Sequence, residues 1–192
     1  MAQGELTEGE LIARTLEGDK GAFGALVQRY EGAIFNMAYR MTGQREAARD
    51  LAQETFLRAY RALGSFQQDK PFAPWLYRIA INLCLNWQKK RRLPQVSLDL
   101  PLATAEGEVA LELPDETAAP EVVFARREFQ ARLRQEIAAL PPDFRAVIEL
   151  RHFEELSYQE MAQVLDVPLS TVKTRLFRAR RMLRDRVEDM LG

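Results

Sequence analysis

The 192-residue sequence contains one cysteine, one histidine and no run of 18 apolar residues. A lone cysteine, Cys84, excludes an intrachain disulfide and a zinc site based on paired cysteines. It lies in an apolar helical run, so we expect it to be buried. His152 has no second metal ligand at a suitable spacing, and we interpret it as structural. With no signal-peptide pattern either, we expect a cytoplasmic protein without direct membrane insertion.

The sequence also lacks strand-like alternation, a glycine-rich phosphate loop and a nucleophile paired with a base. These absences favour an all-α protein that is not an enzyme and has no metal or cofactor. A nuclease is an alternative, but its phosphate chemistry needs clustered carboxylates to hold metal ions. The acidic residues here are concentrated in one irregular segment instead.

Helical periodicity covers two parts of the chain and is interrupted between them. We predict two small helical domains, over residues 1–92 and 120–192, joined by a flexible linker over 93–119. The predicted helices are Thr7–Leu16, Lys20–Met41, Arg45–Leu63, Ala73–Arg92, Glu121–Leu140, Phe144–Phe153 and the two helices within Leu156–Arg186. The predicted N-caps are Thr7, Asp19, Asp143 and Ser157, and Thr42-Gly43 is predicted to end the second helix.

The linker contains six acidic residues and no lysine or arginine. The whole chain has a net charge of −1, so the rest of the molecule is cationic. The linker's 27 residues could span roughly 90 Å when fully extended. On composition alone it is an ordinary solvated linker.

Residues Leu156–Arg186 have the pattern of a helix-turn-helix. Ser157 and Glu160 form a capping box, and Asp166 precedes the Val167-Pro168 break between the two helices. From Leu169 to Arg186 there are seven basic residues and one acidic residue. Such a helix suits the major groove of DNA. The alternative is an ordinary amphipathic helix with a solvated face, although such a face usually mixes charges of both signs.

The helix predicted over Ala73–Arg92 combines aromatic side chains with a basic cluster, Lys89–Arg92. Basic residues at a helix C-terminus can simply complement the helix dipole. Aromatic rings beside cations are also how proteins hold single-stranded nucleic acid, through stacking and phosphate contacts. This helix alone does not decide between the two interpretations.

Two stretches in this order resemble the extracytoplasmic-function (ECF) sigma factors, the smallest members of the sigma-70 family of bacterial RNA polymerase. DLAQETFLRAYRAL with FAPWLYRIAINLCLNW is similar to region 2 of that family. LPPDFRAVIELRHFEELSYQEMAQVLDVPLSTVKTRLFRARRML is similar to region 4. The chain has no insert matching the region 3 domain of larger sigma factors.

The resemblance implies two kinds of protein partner. Core RNA polymerase would be contacted through its clamp coiled coil and its flap, and an anti-sigma factor would hold the protein inactive. The surface implied to dock on the clamp consists of Asp50, Leu51, Gln53, Glu54, Phe56, Leu57 and Arg58. The acidic linker would run through the polymerase channel and imitate nucleic acid there.

The resemblance also implies promoter DNA as a partner, single-stranded at the −10 element and duplex at the −35 element. The residues implied to melt and hold the −10 element are Ser65, Phe66, Trp75, Tyr77, Arg78, Asn82, Asn86, Lys89, Lys90, Arg91 and Arg92. Asn86 stands where many relatives carry Asp. The residues implied to read the −35 duplex are Ser170, Thr171, Lys173, Thr174, Arg175, Arg178 and Arg181.

The principal competing function is a helix-turn-helix regulator that binds duplex operators without polymerase. It explains Leu156–Arg186, but it leaves the surface of Asp50–Tyr60 and the aromatic helix without a role. Such a regulator should bind duplex DNA tightly alone, whereas a sigma factor should need core polymerase.

Overall fold

The computed structural model describes residues 6–92 and 120–191, and these residues form an all-α structure without strands. Its α-helices are α1 Glu8–Leu16, α2 Lys20–Thr42, α3 Arg45–Ala62, α4 Phe72–Arg92, α5 Pro120–Ala138, α6 Pro142–His152, α7 Tyr158–Leu165 and α8 Leu169–Leu191. A short 3-10 helix over Leu63–Ser65 follows α3. The predicted linker and the side chain of Arg92, one of the predicted −10 residues, lie outside the described residues.

Local sequence signals fix most of the helix ends. Thr7 caps α1 in a complete capping box, and the Asp19 carboxylate accepts from the first amides of α2. Gly43 ends α2 in the left-handed conformation, with φ of 70°, which glycine adopts without a steric penalty. These predictions are confirmed because each depends only on residues close in sequence.

The second half of the chain contains the predicted helix-turn-helix. Ser157 caps α7 in a capping box, and Asp166 ends it in the left-handed conformation with φ of 52°. Helix α8 then packs on α6 and α7 through buried Val172 and Leu176. One predicted cap is wrong: Pro141 is the N-cap of α6, and Asp143 lies in its first turn. The ring of Pro141 fixes the backbone at the start of α6, and no side chain caps the helix there.

Helices α1–α4 share one core, in which α2 packs against α1, α3 and α4. Ile34, Met37 and Met41 on α2 are fully buried, as is Cys84 on α4. Burial raises the pKa of the Cys84 thiol to about 12. The thiol is therefore protonated and unreactive at neutral pH.

Helix α3 meets this core with small side chains. The helical spacing of DLAQETFLRAYRAL predicts that Tyr60 faces inward, but the structure leaves it 41% exposed and buries Ala48, Ala52, Thr55 and Ala59. Small residues let α3 lie close to α2, which leaves its larger side chains at the edge of the interface. The consequence is an apolar surface along the outer side of α2 and α3.

The two halves of the chain pack against each other. Helix α4 contacts α7 and α6, and α2 contacts α6 and α5. One continuous set of buried apolar residues therefore runs from Leu11 in α1 to Ala179 in α8. No described helix combines the length and the apolar character needed to cross a membrane.

Candidate functional site

An open groove with a volume of about 1110 Å³ lies between α2 and α3. Its apolar walls include Phe23, Val27 and Phe35 from α2 and Phe56 and Leu57 from α3. Charged side chains, among them Lys20, Glu31, Arg45 and Arg49, stand at its edges. An apolar floor with a charged rim is the arrangement of a protein-binding surface.

The structure places three of the residues predicted to bind polymerase in this groove: Gln53, Phe56 and Leu57. Leu57 is 45% exposed, so its apolar side chain is available to a partner at the groove. Glu54 and Arg58 form an exposed ion pair of 2.7 Å beside it, while Asp50 is exposed and Leu51 half-buried. Tyr60 also lines the groove, a role that its periodicity did not indicate.

The described residues that are predicted to bind the −10 element fall into three groups, of which the first precedes or begins α4. Phe66 is buried and packs its ring against Phe72 and Trp75, with ring centroids 5.5 and 5.2 Å away. Trp75 is half-buried in the same cluster. The hydroxyl of Ser65 donates to the carbonyl of Ala62 and lies at the surface. This aromatic cluster fixes the loop that precedes α4.

The exposed group lies along α4. Asn82, Asn86, Lys89, Lys90 and Arg91 are all exposed on this helix. The Arg91 guanidinium lies 4.9 Å from the centre of the half-buried Trp87 ring, in a cation–π contact. Among the described residues, this helix end offers the cations and the aromatic surface that a single strand requires.

Two further predicted −10 residues are engaged by the second half of the chain. Tyr77 is 7% exposed, and its hydroxyl donates to the Glu154 carboxylate. Burial and this hydrogen bond raise the pKa of the Tyr77 phenol far above its usual range. Arg78 lies 3.7 Å from the carboxylate of Asp166. In this structure Tyr77 is covered by the second half of the chain, whereas Arg78 stays half exposed beside Asp166.

The residues predicted to read the −35 duplex lie together on α8. Ser170, Lys173, Thr174, Arg178 and Arg181 are exposed, and Thr171 and Arg175 are half-buried. The Arg175 guanidinium lies 3.5 Å from the Asp143 carboxylate of α6. A cavity of about 440 Å³ lies between α6 and the start of α8, lined partly by these side chains. In this structure Arg175 therefore forms an ion pair within the protein.

Sequence reasoning missed a buried charged group between the two halves of the chain. Glu149 on α6 is fully buried, and both its carboxylate oxygens accept from Arg40 Nε at 2.8 Å. Burial raises the pKa of Glu149 to about 7, although the bonds from Arg40 act in the opposite direction. The available signal was an acid inside the buried run Ala146–Leu150.

His152 contacts a basic residue of α8. His152 is exposed, and its Nε2 lies 3.3 Å from the guanidinium of Arg180. Partial burial and the charges of Arg180 and Arg151 lower the pKa of His152. Within residues 6–92 and 120–191, no group of three or more His, Cys, Asp or Glu is arranged to hold a metal ion.

Comparison with known proteins agrees with this arrangement of surfaces. The family described as sigma-70 region 2 matches residues 26–93, and sigma-70 region 4 matches residues 130–183. The RNA polymerase sigma-H factor of Pseudomonas aeruginosa is 39% identical, over 95% of this chain and 94% of its own length. The ECF RNA polymerase sigma factor SigW of Bacillus subtilis is 37% identical, over 93% and 96%.

The chain belongs to the ECF group of the sigma-70 family. As a sigma factor it functions in promoter recognition and transcription initiation by RNA polymerase. Among solved structures, CnrH bound to the cytosolic domain of CnrY superposes with a TM-score of 0.66 and 28% identity, covering 94% of this chain and 97% of CnrH. The sigma factor RpoE of Bartonella quintana, bound to the anti-sigma factor NepR, has a TM-score of 0.61. At 20% identity, over 86% of this chain and 96% of RpoE, that likeness concerns the fold.

Proposed function

We propose that this sigma factor divides promoter recognition among three surfaces on two domains. Residues 1–92 dock on core polymerase and open the −10 element, residues 93–119 connect, and residues 120–192 bind the −35 duplex. The observation that carries this proposal is the open groove of α2 and α3 on one domain, together with the exposed cationic helix α8 on the other.

Clamp docking is assigned to the groove because its shape and charge suit a partner helix pair. A coiled coil keeps its apolar a and d side chains between its own helices and carries charged side chains beside them. The charged residues at the edges of the groove can pair with such charges. Phe56 and Leu57 supply apolar contact, and the Glu54–Arg58 pair beside them can exchange its internal contact for one across the interface. Core polymerase is the partner that the family implies for this surface.

Opening of the −10 element is assigned to α4 and the loop before it. Capturing an unstacked base offsets a few kcal/mol of unstacking through ring contacts and hydrogen bonds. Asn82 and Asn86 offer hydrogen-bonding groups to a base, and Lys89 and Lys90 offer charge to the phosphates. Trp75 lies at the edge of the aromatic cluster and is the ring that we assign to stacking.

The sigma factor acts in the cytoplasm and has no catalysis of its own. CnrH is bound to a cytosolic domain of another protein in the solved structure. We expect a comparable anti-sigma partner to regulate this chain by occupying the polymerase and DNA surfaces. The proposed readout of the −35 element by Arg175 requires the guanidinium to leave Asp143 for DNA.

Run-off transcription with purified core polymerase on fragments of genomic DNA tests the proposal. Specific transcripts should appear only when the sigma factor is added, and gel shifts should show tight promoter binding only with core polymerase present. Tight operator binding by the free protein, without directed transcripts, would support a self-sufficient regulator instead.

A further inference from the structure

The contact between the two halves of the chain is centred on buried charge. Four residues form what we call the Arg40 cluster: Arg40 on α2, Tyr77 on α4, Glu149 on α6 and Glu154 just after α6. Arg40 also lies 3.2 Å from the Glu154 carboxylate, and its guanidinium is 4.2 Å from the centre of the Phe153 ring. The guanidinium therefore contacts three residues of the second domain: Glu149, Phe153 and Glu154.

A second set of hydrogen bonds holds the C-terminal end of α2. The carbonyl oxygen of Met41 accepts from the guanidinium of Arg145 on α6 and from the amide of Gln88 on α4. Arg145 also donates to the carbonyls of Ala138 and Leu140 at the end of α5. A network with several directional bonds specifies one relative position of the two domains rather than a loose association.

This position is incompatible with the two DNA contacts being made together. Arg78, assigned to the −10 element, lies 3.7 Å from Asp166, which is only four residues before Ser170 of the −35 helix. The −10 and −35 elements are about 25 base pairs apart, which corresponds to roughly 85 Å of duplex. The domains must therefore separate before both elements can be bound.

We propose that the Arg40 cluster holds the free sigma factor in a closed state that excludes promoter DNA. The inference rests on the proposed assignment of α4 and α8 to the two promoter elements. In the closed state Tyr77 is buried and Arg78 is paired, so part of the −10 surface is occupied by the protein itself.

The chemistry of the cluster suits a contact that must come apart. Buried apolar residues also continue across this contact, so separation exposes some apolar surface. The parted charges regain hydration, which offsets much of the lost pairing. The groove of α2 and α3 has no lining residue from α5 to α8, so it stays accessible in the closed state. Polymerase can thus bind the closed protein first and separate the domains afterwards.

Double electron–electron resonance on the full-length free protein tests the closed state. Spin labels are attached to cysteines introduced at Gln28 on α2 and Gln159 on α7, both exposed. Cys84 is fully buried and can remain. The diagnostic variant is Arg40→Glu, which places a third carboxylate in the cluster. The matched control is Arg29→Glu, which makes the same charge change on an exposed site of the same helix.

Unmodified protein and the Arg29→Glu control should show one narrow, short distance. Arg40→Glu should move most molecules to a broad distribution of longer distances. A mixed-sequence single-stranded 20-mer should bind Arg40→Glu at least fivefold more tightly than it binds Arg29→Glu. Because the two variants have equal net charge, this difference reports access rather than overall electrostatics.

The double variant Arg40→Glu with Glu154→Arg restores one guanidinium between two carboxylates and should recover a large part of the short-distance population. General misfolding of Arg40→Glu would not be reversed in this way, and circular dichroism checks the helix content of each variant. The closed state is refuted if unmodified protein already shows long distances, or if the two single variants give identical distances. Opening without tighter DNA binding would refute the inhibitory role. None of these measurements uses polymerase, so run-off transcription tests the proposed function separately.

Discussion

The domain formed by α1–α4 has two contrasting faces. The groove of α2 and α3 is apolar at its floor and open to solvent. The opposite interface, where α2 and α4 meet α6 and α7, is covered and centred on Arg40 and Glu149. Both faces sit on the same helix α2, so the sequence of one helix supports two different kinds of contact.

The two faces differ in exposure and in chemistry, and each is suited to a different kind of contact. An open apolar groove gains free energy when an external partner removes it from water. A charged contact gains little, because its groups are well solvated when they are apart. The groove is suited to lasting binding of another protein, and the charged face to a reversible contact within the chain.

The largest effect is expected at the groove of α2 and α3. Leu57→Asp should weaken core polymerase binding on the order of 100-fold, because it places a charge in the centre of an apolar contact. Surface plasmon resonance with immobilised core polymerase measures this. Leu16→Asp is the matched control, since Leu16 is 44% exposed and Leu57 is 45% exposed. Equal affinities for the two variants would remove the groove from the docking surface.

The second prediction concerns α8, which belongs to neither of these two faces. Arg175→Ala should reduce discrimination for the −35 duplex by about 1–3 kcal/mol while polymerase affinity is unchanged. Competition gel shifts with holoenzyme and matched or altered −35 duplexes measure it. Arg132→Ala serves as control, because Arg132 lies in an exposed ion pair on α5. A loss of core affinity with intact −35 preference would contradict the assignment of α8.

The third effect concerns pH and the covered face. Burial raises the pKa of Glu149 to about 7, so the closed state binds a proton that the open state releases. Closure should therefore be favoured at low pH and lost as the pH rises through 7. The ratio of closed to open molecules should increase about tenfold from pH 8 to pH 6.

The other groups around Glu149 do not reverse this sign. Cys84 and Tyr77 on α4 stay neutral, since burial raises the pKa of both. Burial also raises the pKa of Glu154, which acts in the same direction. Distance measurements at both pH values test the prediction, and Glu149→Gln should flatten the dependence. An increase in closure with rising pH would contradict it.

The smallest effect is expected at the exposed edge of the covered face. The Arg78–Asp166 pair has side chains 50% and 84% exposed, and exposed pairs contribute about 0–1 kcal/mol. Arg78→Ala should change the closed fraction by no more than about fivefold but should impair promoter opening in holoenzyme. Distance measurements and permanganate footprinting test the two parts. Complete opening of the free protein by Arg78→Ala would place the decisive contact at the edge instead of at Arg40.

Local chemistry explains why much of the fold could be predicted from the sequence. Helix ends at Thr7, Gly43 and Ser157 depend on neighbours a few residues away, and their caps are confirmed. The amphipathic pattern of Leu156–Arg186 likewise predicts the helix-turn-helix, because α7 and α8 are adjacent in the chain. The all-α class follows from the same periodicity.

The covered face could not be predicted, since its partners are far apart in sequence. Arg40 and Glu149 are separated by 109 positions. Tyr77 has the pattern of an exposed aromatic residue on α4, and only docking of α6 and its following turn buries it. Tyr60 shows the reverse case, because small residues on α3 take the buried positions. Both depend on how whole helices meet, which periodicity within one helix does not determine.

The 27 residues between α4 and α5 make the two domains neighbours whatever their affinity for each other. The flexible linker predicted from the sequence would hold the two domains at a local concentration in the millimolar range. A contact with only millimolar intrinsic affinity is then formed about half of the time. Doubling the length of this segment would cost closure about 0.6 kcal/mol. Its length is therefore a means by which evolution can adjust how readily the sigma factor is available for initiation, without altering any residue that touches polymerase or DNA.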